Sequence, residues 1–177
     1  VFSSLDWVNQ GGFPYRLLER GTERLLPISY NDRCGYHRVA WRLGASFEGR
    51  WNRLRYNATT SYQLVDDDMQ MDQDFTPLSM FTLRQAQRDH TLNQDFTLRP
   101  VDKRERWDWL TGMNLWGRNL ATSAPVTFKS DGIQRLILDN ANAGIQQMSP
   151  QDTLSFMTDV LPIGSDFLQR YYGISLY

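Results

Sequence analysis

Four arginines, a run of aspartates and two isolated histidines are the residues of this sequence whose types and spacing could do chemistry. Arg38, Arg42, Arg53 and Arg55 crowd two neighbouring segments, and guanidinium forks bind carboxylate or phosphate groups through paired, charge-assisted hydrogen bonds. Asp66, Asp67, Asp68, Asp72 and Asp74 are interleaved with Met69 and Met71, and carboxylates at alternate positions could wrap calcium. The sixth position from Asp66 is Met71, where an EF-hand needs Gly, and the twelfth is Pro77 in place of Glu. A solvated acidic loop is the plainer reading, and no metal is expected. His37 and His90 each lack a second ligand at metal spacing, and Cys34 is the only cysteine, so no zinc pattern exists. No nucleophile elbow or phosphate-cradling glycine motif occurs. The expectation is therefore no enzyme, no catalytic residue and no cofactor. Asn57-Ala58-Thr59 matches a glycosylation sequon, but it falls inside a predicted strand. The six tryptophans could stack on sugars, although aromatic residues at alternate strand positions more often serve a core or a membrane belt.

Charge narrows the partners. A net charge of -1 and a pI near 6.1 lack the basic footprint of a protein that neutralises phosphates, so no nucleic-acid partner is expected. One cysteine excludes an internal disulfide. No apolar run reaches the roughly 18 residues of a transmembrane helix, and no signal-peptide pattern is evident. A mean hydropathy of -0.53 still suits a transmembrane β-barrel, whose strands alternate apolar and polar residues.

The elements that must carry these residues are strands. Val39, Trp41, Leu43, Ala45 and Phe47 alternate with Arg38, Arg42, Gly44, Ser46 and Glu48, which predicts a strand over 36–48. After a turn at 49–51, Leu54, Tyr56, Ala58, Thr60, Tyr62 and Leu64 alternate with Arg53, Arg55, Asn57, Thr59, Ser61 and Gln63, predicting a second strand over 52–65 and a hairpin. Further strands are predicted over 80–99 and 105–118, the latter placing Trp107, Trp109, Met113 and Leu115 on one face, with Pro100 in the connecting turn. Residues 1–35 read as irregular loop. Within 119–172, Ser130 and Asp131 start a short helix that Gly144 should end, and Ser149, Pro150 and Asp152 start a second that Pro162 should stop.

Connections alternate between short turns at 49–51 and 99–105 and long loops at 66–79 and 119–172. Outer-membrane barrels show that asymmetry, with short periplasmic turns and long extracellular loops. At a tilt near 40° a strand climbs roughly 2.5 Å per residue, so an apolar band of about 25 Å separates two aromatic girdles by about ten residues. Trp51 and Tyr62 fit that separation, and Phe47, Trp51, Trp107 and Trp109 would form the belt near the short turns. Leu43, Ala45, Tyr56, Ala58 and Met113 would then face lipid. The competing reading packs the same face into the core of a secreted or periplasmic β-sandwich that binds carbohydrate.

Several phrases resemble the barrel of TonB-dependent outer-membrane receptors of Gram-negative bacteria. Thr59-Thr60-Ser61-Tyr62-Gln63 leading to Asp72-Gln73-Asp74-Phe75 is similar to an early upward strand and its acidic loop. Asn93-Gln94-Asp95-Phe96-Thr97-Leu98-Arg99 resembles the downward strand with a Gln-Glu start and a Leu-Arg end, Asp95 replacing the Glu. Arg106-Trp107-Asp108-Trp109-Leu110-Thr111-Gly112 resembles the next upward strand, and Leu176-Tyr177 the opening of another. The resemblance covers roughly residues 28–118. It implies an all-β fold of antiparallel up-and-down strands forming part of a large transmembrane β-barrel, with short helices in one long extracellular loop and no plug domain in this segment. It also implies the cell outer membrane as location and active uptake of an iron chelate or other scarce nutrient as function. The partners it implies are that ligand, outer-membrane lipid, the remainder of the receptor barrel and plug, and TonB through an N-terminal region absent here. The ligand-contacting candidates are Arg38, Arg42, Arg53 and Arg55 on the lumen face, with Asp68 and Asp72 in the acidic loop. The plainer role for the arginines is pairing with acids on a plug or on neighbouring strands.

Overall fold

The computed structural model of the chain describes residues 1–12, 15–101 and 108–177. Eight strands make one antiparallel sheet: β1 (Phe2–Gly11), β2 (Gly35–Trp51), β3 (Leu54–Asp72), β4 (Phe81–Pro100), β5 (Thr111–Ser123), β6 (Val126–Lys129), β7 (Val160–Ile163) and β8 (Asp166–Leu176). The main order is β1-β2-β3-β4-β5-β8, with β6 pairing β4 and β7. The sheet does not close on itself, so β1 and β8 are its edges. β6 and β7 extend β5 and β8: Ala86 opposes Ser123 and Leu83 opposes Val126 on one diagonal of β4. The Pro125 carbonyl accepts the Arg84 N–H at 3.1 Å across the break.

The β2–β3 hairpin is the predicted one, with longer strands. Gly49, Arg50 and Trp51 stay in β2, and the turn is the two residues Asn52 and Arg53. Asn52 supplies the left-handed φ of 59° that such a tight connection favours. β3 also runs on to Asp72, so the first part of the predicted loop 66–79 is strand. The cause lies across the ladder: Asp66 and Asp68 find arginines of β4, and opposite charges stabilise a ladder much as apolar pairs do. β5 begins at Thr111, leaving Trp109 before the strand, while Trp107 and most of the 99–105 turn lie outside the described residues. β1 and β8 replace what alternation alone reads as loop.

The helical part is one run, α1 (Ser130–Gly132), a π-helical stretch (Ile133–Leu138) and α2 (Asp139–Met148). It starts where Ser130 predicts, passes through Gly144 and ends at Ser149. No helix follows Pro150: the chain turns there, and Pro162 sits in β7 on the sheet margin, where a missing N–H is tolerated.

Directly opposed residues share a face, so the register sorts every strand residue. One face carries Leu5, Trp41, Leu43, Phe47, Tyr56 and their neighbours. The other carries Asp6, Arg42, Gln63, Asn93 and Asn114. Buried apolar residues are few: Ala40, Val65 and Leu120 lie in one row of the polar face, and Ile133 and Leu138 anchor the helix. The apolar face is left open, with Trp51 74% and Leu176 76% exposed. The chain exposes 12958 Å², whereas a compact protein of this mass exposes about 8,900 Å².

Gly44 and Gly173 are among the glycines fixed by close approach. An added Cβ at Gly44 would lie 2.2 Å from the Phe2 ring, and one at Gly173 would lie 2.1 Å from the Trp116 indole, each directly across the ladder. Gly173→Ala should therefore cost about 1–3 kcal/mol by overpacking. Gly144→Ala, in open space within α2, should add up to about 1 kcal/mol through helix propensity. Unfolding midpoints in detergent, read by circular dichroism, check the opposite signs.

Candidate functional site

The apolar face contains a band without charge. On β2 it spans Trp41, Leu43, Ala45, Phe47, Gly49 and Trp51. On β3 it spans Leu54, Tyr56, Ala58, Thr60, Tyr62 and Leu64, and on β4 His90, Leu92, Gln94, Phe96, Leu98 and Pro100. Each stretch covers eleven residues, ten steps from end to end, or about 25 Å of height at the tilt of a barrel strand.

Its upper edge is a row of interlocked rings. Trp41 meets Tyr62 edge-on with centroids 6.4 Å apart, and Tyr62 meets His90 at 6.2 Å. The polar tips are satisfied: Trp41 Nε1 donates to Ser3 Oγ at 3.2 Å, and Tyr62 Oη lies 2.6 Å from His90 Nδ1. Amphipathic rings with bonded tips suit a boundary between apolar and wet surroundings. The lower edge has Phe47 against Tyr56 at 5.9 Å, with Trp51 beyond.

Immediately above the band the same face becomes ionic. Arg88 donates to Asp66 Oδ2 at 3.0 and 2.5 Å, and Arg84 grips both oxygens of Asp68 at 3.1, 3.1 and 2.5 Å. The hydrogen bond from Arg84 holds the Asp68 carboxyl below the usual carboxylate range.

The polar face is densely hydrogen-bonded. Arg42 pairs with Asp6 and donates through Nε to Gln63 Oε1 at 2.9 Å. Ser46 donates to Asn57 at 2.8 Å, Asn114 donates to Asn93 at 3.0 Å, and Arg118 donates to Asp89 at 2.8 Å. Such a surface tolerates water on its open side without leaving polar groups unpaired.

The six ligand-contacting candidates do not form one site. Arg38, Arg42 and Arg55 share the polar face, where Arg38 opposes Asp67 and Arg55 pairs with Glu48 at 3.2 Å. Arg53 lies in the hairpin turn and off that row. Asp68 is on the apolar face, committed to Arg84. Asp72 is also on that side, fully buried at the tip of β3. Its Oδ2 accepts the Asn31 and Asp32 N–H groups at 3.0 and 3.1 Å, which ties the 31–34 segment over the strand end. Burial pushes its carboxyl above the usual range. Asp32 in turn pairs with Lys129 of β6. Sequence parity carried the signal for both acids: residues 66, 68 and 72 continue the even series of Tyr62 and Leu64, provided the strand is allowed past residue 65. Among the described residues no group of three His, Cys, Asp or Glu side chains is placed to hold a metal ion.

The arrangement defines an open, two-faced antiparallel sheet whose one face is an uncharged band bordered by rings and ion pairs. No family model, no curated protein and no solved structure matches the chain.

Asp72 and Asp68 lie above the band and titrate in opposite senses. The contribution of Asp72, whose value is raised, should be complete below its ordinary value of 3.8 and fade as pH rises through the raised one. That of Asp68, whose value is lowered, should be present above 3.8 and fade as pH falls through the lowered one. Asp72→Asn keeps an acceptor for both N–H groups and should remove the loss towards higher pH. Asp72→Leu strands two donors and should cost about 1–3 kcal/mol at every pH. Denaturant unfolding across the acid range checks both.

Proposed function

We propose that this chain is a segment of a TonB-dependent outer-membrane receptor, contributing barrel wall and extracellular loops to the active uptake of an iron chelate or other scarce nutrient. The observation that carries the proposal is the uncharged band: eleven residues long on three neighbouring strands, edged by aromatic rings and topped by ion pairs. An outward apolar band about 25 Å tall with aromatic girdles is what the bilayer demands of a barrel wall.

Strand length supports the same reading. β3 has 19 residues and β4 has 20, so each would climb about 50 Å and project roughly as far beyond the bilayer as it extends within it. The projecting half carries the helix and the acidic strand tips, where ligand arriving from outside would be met. The polar face would line the lumen, with Arg38 and Arg42 among the residues passed by an anionic chelate. Arg42 and Arg55 are already paired with acids of this chain, which favours a wall-stiffening role for them over direct ligand contact. Energy coupling through TonB and gating by a plug would come from parts of the receptor other than these residues. In lipid an open edge leaves backbone groups unsatisfied at several kcal/mol each, so β1 and β8 would pair with further strands in the receptor.

A carbohydrate-binding sandwich needs two sheets packed face to face about 10 Å apart. This chain builds one sheet, and no second layer of the described residues covers its apolar face.

Arginine placed at Leu43, Ala45, Ala58 or Met113 should cost about 2–4 kcal/mol in a reversible unfolding assay in lipid, and much less at Ser46 or Thr59 on the polar face. Equal costs on the two faces would contradict the assignment. In a Cys34→Ser background, cysteines introduced at Gln70 and Ala143 should react with an impermeant thiol reagent on intact cells, and one at Asn52 should not. Labelling of Asn52→Cys alone would invert the topology.

A further inference from the structure

At the turn end of the polar face, three arginines stand in one row. Arg50 lies directly opposite Arg55, and Arg55 directly opposite Arg99, on adjacent strands β2, β3 and β4. Like charges directly opposite one another destabilise a sheet. Among the described residues one acid offsets them, Glu48, which Arg55 reaches at 3.2 Å. Arg50 and Arg99 are exposed and have no acid partner among the described residues. The neighbouring sequence does not neutralise them: segments 48–55 and 99–108 together hold seven Lys or Arg against four Asp or Glu. Arg42, Arg84, Arg88 and Arg118 of the same sheet each meet an aspartate, whereas this row sets three arginines directly against one another.

We propose that Arg50, Arg55 and Arg99 form a docking surface for an acidic polypeptide segment lying across the polar face at its turn end. The backbone positions of Arg50 and Arg99, neither paired with an acid among the described residues, lie two strands apart, about 10 Å. Carboxylates on a polypeptide repeat at that distance, at three residues in an extended chain or seven in a helix, and the planar fork of Arg takes a carboxylate through two bonds. A small polyanion is shorter than the row. A lipid phosphate is on the wrong side, because the row and the apolar band occupy opposite faces. The inference rests on the register and the charges, and it stands or falls independently of the membrane reading.

The test uses the 177-residue chain in detergent micelles with a fluorescein-labelled octaglutamate peptide, followed by anisotropy at low and at physiological salt. Binding should weaken as salt rises, and the Arg50→Gln/Arg99→Gln double variant should bind roughly tenfold more weakly. The chain alone should move the other way: Arg99→Gln should leave its thermal midpoint unchanged or higher by relieving repulsion. Arg99→Glu, which places an acid opposite Arg55, should raise the midpoint while abolishing peptide binding. Gain of stability with loss of binding is a combination that a purely structural role for the row would not produce. Unchanged affinity in the double variant, or a lower midpoint in both Arg99 variants, would overturn the proposal. So would competition by citrate or inorganic phosphate as effective as that by unlabelled peptide, which would make a small anion the occupant. Competition by vesicles of anionic phospholipid would overturn it in favour of headgroups.

Discussion

Residues directly opposite each other on antiparallel strands share a face, and in this sheet that constraint runs unbroken from β1 to β8. A slip of one residue between β2 and β3 would carry Trp41, Leu43 and Phe47 into a row with Gln63, Ser61 and Asn57 in place of Leu64, Tyr62 and Ala58. The band, the ring row and the ionic row exist only because five successive pairings keep phase. The strand interior holds the phase with particular pairs. Trp41, Tyr62 and His90 lock by ring contact, and Phe2 and Trp116 each fill the gap over a glycine opposite.

With phase fixed, stability comes from an unusual source for a chain of this size. Burial of apolar side chains is confined to a handful of residues, while hydrogen bonds and ion pairs cover the polar face and the strand tips. An apolar face of this extent is costly in water at roughly 25 cal/mol per Å². It becomes favourable when lipid or another apolar layer covers it. The external requirement and the internal one are thus the same: a surrounding that is apolar on one side and wet on the other.

The central hairpin and the second half of β4 were legible because period-two alternation there is clean on both faces. β1 was not, since Phe2 and Val8 fall on the polar face and blur the alternation of Leu5 and Trp7. β8 was hidden in the same way by Phe167 and Tyr171. Runs of aspartate suggest loop, so β3 was cut short at residue 65. What extends it is the matching Arg84 and Arg88, 16 and 22 residues beyond their aspartates, a long-range fact that local propensity does not carry. The helix start at Ser130 was readable, whereas its end was not. Gly144 costs a helix only about 1 kcal/mol, too little to stop one whose first turns are held by buried Ile133 and Leu138. Of the candidate site, the arginines were placed correctly on one face except Arg53, which the turn displaces. Asp68 and Asp72 followed strand parity to the other side.

The most direct test of the lipid-facing assignment is a nitroxide scan along β2 from Val39 to Arg50 in outer-membrane vesicles, measuring collision with oxygen and with a water-soluble nickel chelate. The account predicts accessibility with a period of two, odd positions from Trp41 to Gly49 favouring oxygen and even positions favouring the chelate. Odd positions shielded from both reagents would place that face in a protein core and contradict the account.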